Sequence, residues 1–163
     1  MSRSRASALV WVLVLEVAGP AWAADPHQSF YELVTGNGYA VLGVDVSEGQ
    51  AKLDAYAAAT ALCQPSVNES FSIVIMESWL AGAPVLVHRD CEVTHYHVLR
   101  SRGGLAFRTD YEFAESLDLL LQDDIRRRLG ENGRAYVQSQ YAWSQVLERF
   151  QAALDAWDAL RTM

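Results

Sequence analysis

The twelve residues Asn68–Trp79, NESFSIVIMESW, decide how this chain folds. They follow a short apolar run, Ala61–Cys63, which ends at the turn-forming segment Gln64-Pro65-Ser66. A strand that closes in such a turn and leads into an apolar helix is the strand-loop-helix unit of an α/β domain. Ligands bind to these domains where the carboxyl ends of strands meet the amino ends of helices. The loop between the two elements is therefore the predicted binding site.

A buried helix is predicted from about Phe71 to Ala81. Its apolar residues lie on almost every side, which is typical of a helix surrounded by protein; they are Phe71, Ile73, Val74, Ile75, Met76, Trp79, Leu80 and Ala81. Glu77 lies within this helix, where an unpaired carboxylate would cost several kcal/mol. We therefore expect a cation or hydrogen-bond donor beside it, from the protein or from a ligand. Glu69 precedes the helix, at the positive end of its dipole.

The spacing of Glu69 and Glu77, with Phe71 two places after the first, resembles the donor-site motif of retaining family-four glycosyltransferases. These enzymes consist of two facing Rossmann-like domains. The resemblance extends over Leu42–Trp143, and the further segments that carry it are Pro65-Ser66, Ala81-Gly82-Ala83-Pro84-Val85 and Gly103-Gly104-Leu105-Ala106-Phe107. It implies an α/β fold, with a Rossmann-like parallel sheet flanked by helices and a helical carboxyl-terminal tail.

The resemblance also implies a glycosyltransferase of the hexosyltransferase type that uses a nucleotide-diphosphate sugar. Glu77 would accept hydrogen bonds from the ribose hydroxyls, and Glu69, the implied catalytic residue, would contact hydroxyls of the donor sugar. Backbone amides around Ser70–Ile73 would face the diphosphate. The implied substrate-binding residues are Glu69, Ser70, Phe71, Ser72, Ile73 and Glu77.

Three features depart from the family pattern. Ser70 and Ser72 stand where many members have glycine, which restricts the approach of the backbone to the donor phosphate. The Arg and Lys with which members clamp the diphosphate have no counterpart near Met1–Leu15. We expect the amino-terminal, acceptor-binding domain to be missing from this chain. We therefore expect a donor domain that begins one strand late, is incompetent alone and works with an acceptor-binding domain or subunit.

The composition of the chain excludes some classes of function. The chain has 163 residues, 51% of them hydrophobic, and a net charge of −7, so we expect a folded domain and no nucleic-acid partner. The basic segment Arg126–Arg128 is flanked by acidic residues and is predicted to be a solvated helix face. Cys63 and Cys91 fit no zinc or disulfide pattern; Cys63 is expected to be buried and Cys91 more exposed. No cofactor and no metal are expected, although His88, His95 and His97 lie close in sequence.

Two interpretations of Met1–Ala24 compete. Arg3, Arg5, an apolar run and Ala21-Trp22-Ala23 resemble a secretory signal with its cleavage site. The favoured alternative is a buried parallel strand, Leu9–Leu15, which is too short to span a membrane. We therefore expect a cytoplasmic protein without stable membrane insertion, or an exported protein if Met1–Ala23 is a signal peptide.

The rest of the sequence predicts helices and strands that largely alternate along the chain. We expect a Rossmann-like nucleotide-sugar-binding domain over 1–141 and an amphipathic helix over 142–163. The predicted helices are Asp25–Gly36, Ser47–Ala58, Val93–Arg100, Tyr111–Leu121, Asp124–Gln138 and Trp143–Leu160, and the further strands are Tyr39–Gly43, Pro84–His88 and Gly103–Phe107. The apolar stripe of the last helix is normally core; the alternative is a docking face.

Three functions therefore remain open at the level of sequence. The first is a glycosyltransferase donor domain. The second is a non-catalytic nucleotide-sugar-binding or regulatory subunit that pairs through the stripe of Trp143–Leu160. The third is an exported binding protein that uses the signal-like segment Met1–Ala24.

Overall fold

The computed structural model describes residues 11–14, 40–43 and 50–161, with side chains from Lys52 onward. The helix predicted over Asp25–Gly36 and the start of the helix predicted from Ser47 lie outside these ranges.

Within the described ranges, five parallel strands form one sheet in the order β2-β1-β3-β4-β5. The strands are β1 (Trp11–Val14), β2 (Ala40–Gly43), β3 (Ala61–Gln64), β4 (Val85–His88) and β5 (Gly104–Phe107). Leu13 of β1 lies opposite Leu42 of β2 and Leu62 of β3, so the strand predicted within Leu9–Leu15 is present and is paired on both sides. The strands predicted at Tyr39–Gly43, Pro84–His88 and Gly103–Phe107 are confirmed within one residue at each end.

Helices connect β2 to β3, β3 to β4 and β4 to β5, and the described helices cover both faces of the sheet, as in Rossmann-like domains. They are α1 (Gln50–Ala58), α2 (Ile73–Ala81), α3 (Glu92–Ser101), α4 (Asp110–Leu120), α5 (Asp123–Tyr141) and α6 (Trp143–Arg161). None of these helices is both long and apolar enough to cross a bilayer. The α/β class, the parallel sheet and the helical tail are therefore as expected.

Two hydrophobic clusters fill the spaces on either side of the sheet, because successive residues of a strand point to opposite faces. Cys63 of β3 and Leu86 of β4 face α4. Leu62 of β3 faces the other layer, which holds α1, α2, α3 and α5. Continuous apolar strands such as Val85-Leu86-Val87 thus bury residues on both faces, as a parallel sheet requires.

Helices α2 and α5 approach each other closely through glycines. A Cβ added to Gly133 would lie 2.0 Å from Cδ1 of Trp79, and one added to Gly130 would lie 2.0 Å from the carbonyl oxygen of Gly82. The indole Nε1 of Trp79 donates to the carbonyl of Gly103 at 2.8 Å. This contact fixes α2, and with it the loop before α2, on the body of the domain.

The structure shifts the start of α2 and corrects the expectation of its burial. The helix begins at Ile73 rather than Phe71, because Ser72 adopts φ 62° and ψ 70°, outside helical geometry. The helix is also not surrounded by protein: Ile75, Met76, Ser78 and Trp79 are buried, whereas Ile73 is 64% exposed and Phe71 and Leu80 are also exposed. The reason is that α2 packs on the sheet, on α1 and on α5, which together leave one side of it open to solvent.

The expectation that the last apolar stripe is core is wrong as well. Helix α6 has no buried residue among Trp143–Arg161. Its large apolar side chains are exposed: Trp143, Val146, Leu147, Phe150, Leu154, Trp157 and Leu160. The chain changes direction at Ala142, whose ψ is 141°, so α6 leaves the end of α5 and does not fold back over the sheet. The alternative interpretation, a docking face, stays a prediction.

The two cysteines are both free and buried. Cys63 is buried as predicted, but the expected exposure of Cys91 is wrong, since it is only 1% exposed. Cys91 caps the start of α3, and its backbone N–H donates to the carbonyl of His88 at 3.2 Å, which turns the chain inward after β4.

Candidate functional site

The segment from Pro65 to Ser72 leaves the carboxyl end of β3 next to the point where the strand order reverses. The chain passes from β1 to β2 on one side, whereas β3 lies on the other side of β1. Adjacent loops separate at such a switch point, and the crevice between them is the usual ligand site of open α/β sheets. The predicted site residues Glu69, Ser70, Phe71, Ser72 and Ile73 therefore lie where a ligand is expected.

Glu69 is held by the end of β3. The side-chain amide of Gln64, the last residue of that strand, donates to Oε1 of Glu69 at 3.0 Å. The loop is shaped by Ser66, whose hydroxyl donates to the carbonyl of Asn68 at 3.0 Å. Gln64 is itself buried, so the carboxylate of Glu69 is tied to a rigid part of the sheet while its residue stays partly exposed.

Glu77 is held from a different element, helix α1. The ammonium group of Lys52 donates to Oε1 of Glu77 at 2.7 Å, and the hydroxyl of Tyr56 donates to Oε2 at 3.0 Å. The expected cation and donor are thus both supplied by the protein. Glu77 retains more contact with water than expected, because 26% of its side chain is exposed.

Tyr56 stays a hydrogen-bond donor to Glu77 over the ordinary pH range. Burial raises the pKa of its phenol well above the usual value, and the hydrogen bond to the Glu77 carboxylate raises it further. Residues four apart lie on one face of a helix, so Lys52 and Tyr56 reach the same carboxylate from consecutive turns of α1. The positions of both Glu77 oxygens are therefore fixed before any ligand arrives.

The start of α2 carries no acidic side chain in its first turn. The amides at this end of a helix have no partner within the helix, and the dipole favours an anion there. Ser72 precedes the first turn, and its side chain makes no capping bond. The backbone segment predicted to face a diphosphate, Ser70–Ile73, thus has the polarity that an anion requires.

Phe71 packs the same loop against α3 and α5, which lie in the same helix layer as α2. Its ring packs edge-on against His97 of α3 and Tyr141 of α5, with centroid distances of 5.4 Å and 5.3 Å. Nδ1 of His97 is 3.0 Å from the hydroxyl of Tyr136. Burial raises the pKa of Tyr136 above its usual value, so its hydroxyl remains protonated. This aromatic cluster, Phe71, His97, Tyr136 and Tyr141, positions the loop between the two glutamates.

We expect the stability of the fold to decrease in mildly acidic solution through His97. Burial lowers the pKa of His97 below its ordinary value of 6.5, so the unfolded chain takes up this proton before the folded chain does. Neutral His97 contributes fully to the free energy of unfolding above its ordinary pKa. This contribution is lost as the pH falls toward the lower pKa that His97 has in the folded protein. Urea unfolding gives the free energy of unfolding at about pH 8 and at about pH 5.5. Between these two pH values, the wild type should lose more unfolding free energy than His97→Phe does.

His97→Phe keeps an aromatic ring in the cluster but does not titrate. The other three histidines, His27, His88 and His95, are present in both proteins, so their own titration cancels in the comparison. An equal loss of unfolding free energy in the two proteins would contradict the assignment to His97.

The three histidines do not form a metal centre with one another. Within the described ranges, no group of three or more His, Cys, Asp or Glu side chains is arranged to hold a metal ion. His97 is buried in the aromatic cluster, while Nδ1 of His88 accepts from the backbone N–H of Asp90 at 3.2 Å.

Sequence reasoning missed several residues that shape the site. Lys52 and Tyr56 had no assigned role, although their spacing of four on a helix next to β3 was a usable signal. Gln64 was recognised only as part of a turn. Its contact with Glu69 depends on the conformation of the loop, for which the sequence carries no periodic signal.

Comparison with known proteins agrees with this geometry. Residues 42–136 match the model of the family described as "Glycosyl transferases group 1". The chain is 30% identical over 144 residues to a D-inositol 3-phosphate glycosyltransferase of Corynebacterium diphtheriae, a match over 85% of this chain and 33% of the relative. It is also 30% identical over 95 residues to glycosyltransferase 1 domain-containing protein 1 of Xenopus tropicalis, over 58% of this chain and 27% of that protein. The chain thus spans about a third or less of the curated relatives it matches.

Solved structures show the same fold. Sucrose-phosphate synthase from Thermosynechococcus elongatus superposes with a TM-score of 0.65 at 20% identity, over 94% of this chain and 47% of that chain. WaaG, a glycosyltransferase involved in lipopolysaccharide biosynthesis, superposes with a TM-score of 0.55 at 24% identity, over 86% of this chain and 36% of that chain. The family match covers more than half of the chain and includes the whole segment from Glu69 to Glu77. The chain therefore belongs to the group 1 glycosyltransferases.

Proposed function

We propose that this chain binds a nucleotide-diphosphate sugar and acts as the donor-binding part of a glycosyltransferase. The observation that carries the proposal is the arrangement of Glu77, whose two carboxylate oxygens are fixed by Lys52 and Tyr56. An ionised carboxylate offers about four acceptor positions. Two therefore remain, one on each oxygen, which suits the two adjacent hydroxyls of a ribose.

Glu69 and the start of α2 would bind the rest of the donor. Glu69, tied to Gln64, would accept hydrogen bonds from hydroxyls of the sugar. The amides of Ser70–Ile73 would receive the diphosphate, because the end of α2 favours an anion. Negative charge builds on the departing diphosphate during glycosyl transfer, so donors that are already oriented toward it would stabilise the transition state.

The acceptor would be bound by another domain or subunit. We assign donor binding to the body over 1–141 and docking to the helix over 142–163, since α6 exposes its apolar stripe. An exposed stripe of this size is typical of a surface that a partner covers. The chain alone would then bind the donor without transferring its sugar. A second candidate, a non-catalytic nucleotide-sugar-binding or regulatory subunit, is favoured by the same exposed stripe.

Ligand-detected NMR of the purified chain with UDP-, GDP- and ADP-sugars tests the proposal. Saturation transfer to one nucleotide sugar, and its displacement by the matching nucleoside diphosphate, is the expected result. Spectra followed over time report sugar release, which distinguishes an enzyme from a binding subunit once an acceptor-binding partner is added. A folded chain that binds none of the three donors would contradict the proposal.

Glu69→Gln is expected to weaken binding of the nucleotide sugar by about 10-fold, the contribution of a hydrogen bond to a charged group. Binding of the corresponding nucleoside diphosphate should be unchanged, because that ligand lacks the sugar. Titration calorimetry with the nucleotide sugar and with the nucleoside diphosphate gives the change in affinity for each ligand. Glu115→Gln, an exposed carboxylate on α4, is the matched control. Equal weakening of both ligands would refute the sugar-contacting role of Glu69.

A further inference from the structure

Ser72 combines two unfavourable features at the start of α2. Its backbone has φ 62° and ψ 70°, in the left-handed region that residues with a Cβ avoid. The described ranges contain one other non-glycine residue with positive φ, Arg102, which follows the end of α3. A left-handed residue is ordinary after a helix, whereas the residue before a helix is normally extended.

The hydroxyl of Ser72 also lacks a partner. The residue is 7% exposed, and its Oγ is the one buried side-chain nitrogen or oxygen in the described part of the chain without a hydrogen bond. A serine before a helix normally accepts from an amide of the first turn, but this one does not. Glycine at this position would remove both the backbone strain and the unpaired hydroxyl. Strain that persists in a fold is concentrated at ligand sites.

The surroundings of Ser72 favour an anion as the missing partner. The residue lies directly before the first turn of α2, which holds no acidic side chain. The amides at the start of the helix and the helix dipole attract negative charge. A serine hydroxyl beside them adds a donor, and hydrogen bonds from a hydroxyl to an anionic oxygen are short and strong.

We propose that Ser72 donates its hydroxyl hydrogen to a phosphate oxygen of the bound nucleotide diphosphate. The choice of ligand rests on the proposed function, but the site itself rests on the unpaired hydroxyl and the open start of α2. Ser72 thereby binds the diphosphate through a side chain, where a glycine would offer its backbone alone. The strained conformation of Ser72 is kept because it places this donor at the phosphate.

Ser72→Gly makes stability and affinity change in opposite directions. Removing the strain and the unpaired hydroxyl should raise the melting temperature by about 2–4 °C. Losing the hydrogen bond should weaken binding of the nucleoside diphosphate by about 10-fold, while binding of the matching nucleoside stays constant. Ser72→Ala, which keeps the Cβ and lacks only the hydroxyl, should lose the same affinity.

Arg102→Gly is the matched control, because it relieves the other left-handed residue away from the loop. It should raise the melting temperature without changing the affinity. Calorimetric titrations use UDP, GDP and ADP, their nucleosides and inorganic pyrophosphate. Unchanged or tighter binding of the diphosphate by Ser72→Gly would overturn the role of Ser72 and leave donor binding intact.

Binding of pyrophosphate distinguishes the proposed role of Ser72 from the proposed binding of a nucleotide sugar. If no nucleotide binds to the wild type but pyrophosphate does, and Ser72→Gly weakens it, the phosphate site stands and the nucleotide-sugar function fails. If neither nucleotides nor pyrophosphate bind, both are refuted.

Discussion

Replacing Gly133 with alanine is expected to destabilise the fold by about 3 kcal/mol, although the same change at an open helix position usually stabilises by about 1 kcal/mol. The added Cβ would lie 2.0 Å from Cδ1 and 2.4 Å from Cγ of Trp79. Trp79 is fully buried and is fixed by the hydrogen bond from Nε1 to Gly103. Neither ring nor helix can move without losing other contacts, so overpacking outweighs helix propensity.

Urea unfolding followed by far-ultraviolet circular dichroism measures this loss. Gln138→Ala, on the same helix but exposed, is the control and should change the unfolding free energy by less than about 0.5 kcal/mol. A Gly133→Ala protein that is as stable as the wild type would show that α2 and α5 are not packed through this glycine.

The sheet and most helices were predictable because their signals are local. Apolar runs such as Val85-Leu86-Val87 are bounded by proline, glycine or polar residues, and parallel strands buried on both faces have this composition. The loop from Glu69 to Ser72 was predictable for a similar reason, since a strand-turn-helix join fixes where the carboxyl end of a strand lies.

The contacts that complete the site were not predictable, because they join distant parts of the chain. Lys52 and Glu77 are 25 residues apart in sequence, and nothing in either segment alone specifies that they meet. Gly133 illustrates the same limit: its helix has no local need for glycine, and the need arises only where Trp79 packs against it.

Periodicity also cannot tell which apolar face is covered by the chain itself. The stripe on α6 and the side chains of Phe71, Ile73 and Leu80 have patterns typical of a core, yet all are exposed. An amphipathic pattern shows that a helix has an apolar face, and only the path of the chain decides what that face contacts. In the proposed function, an acceptor-binding partner would contact these exposed faces.

Glu77→Ala is expected to weaken binding of the nucleotide sugar by about 100-fold or more, the largest effect on binding in this site. Each hydrogen bond from a ribose hydroxyl to the carboxylate contributes about 1.5–3 kcal/mol, and two such bonds are lost together. The variant also leaves the ammonium group of Lys52 without its partner at 2.7 Å. The affinity is measured by calorimetric titration after circular dichroism has shown that the variant is folded.

A ligand lacking the ribose hydroxyls separates direct contact from structural damage. The 2′,3′-dideoxy form of the same nucleotide should bind the wild type weakly and Glu77→Ala equally weakly, because neither complex can form the two bonds. Glu131→Ala, which removes an exposed carboxylate paired with Arg127, is the matched control and should leave both affinities unchanged. If Glu77→Ala weakened the dideoxy nucleotide as much as the natural one, the carboxylate would act by supporting Lys52 and Tyr56 rather than by contacting ribose. The decisive quantity is therefore how far the effect of Glu77→Ala on affinity depends on the two ribose hydroxyls. A strong dependence shows that Glu77 contacts the ribose of a bound nucleotide.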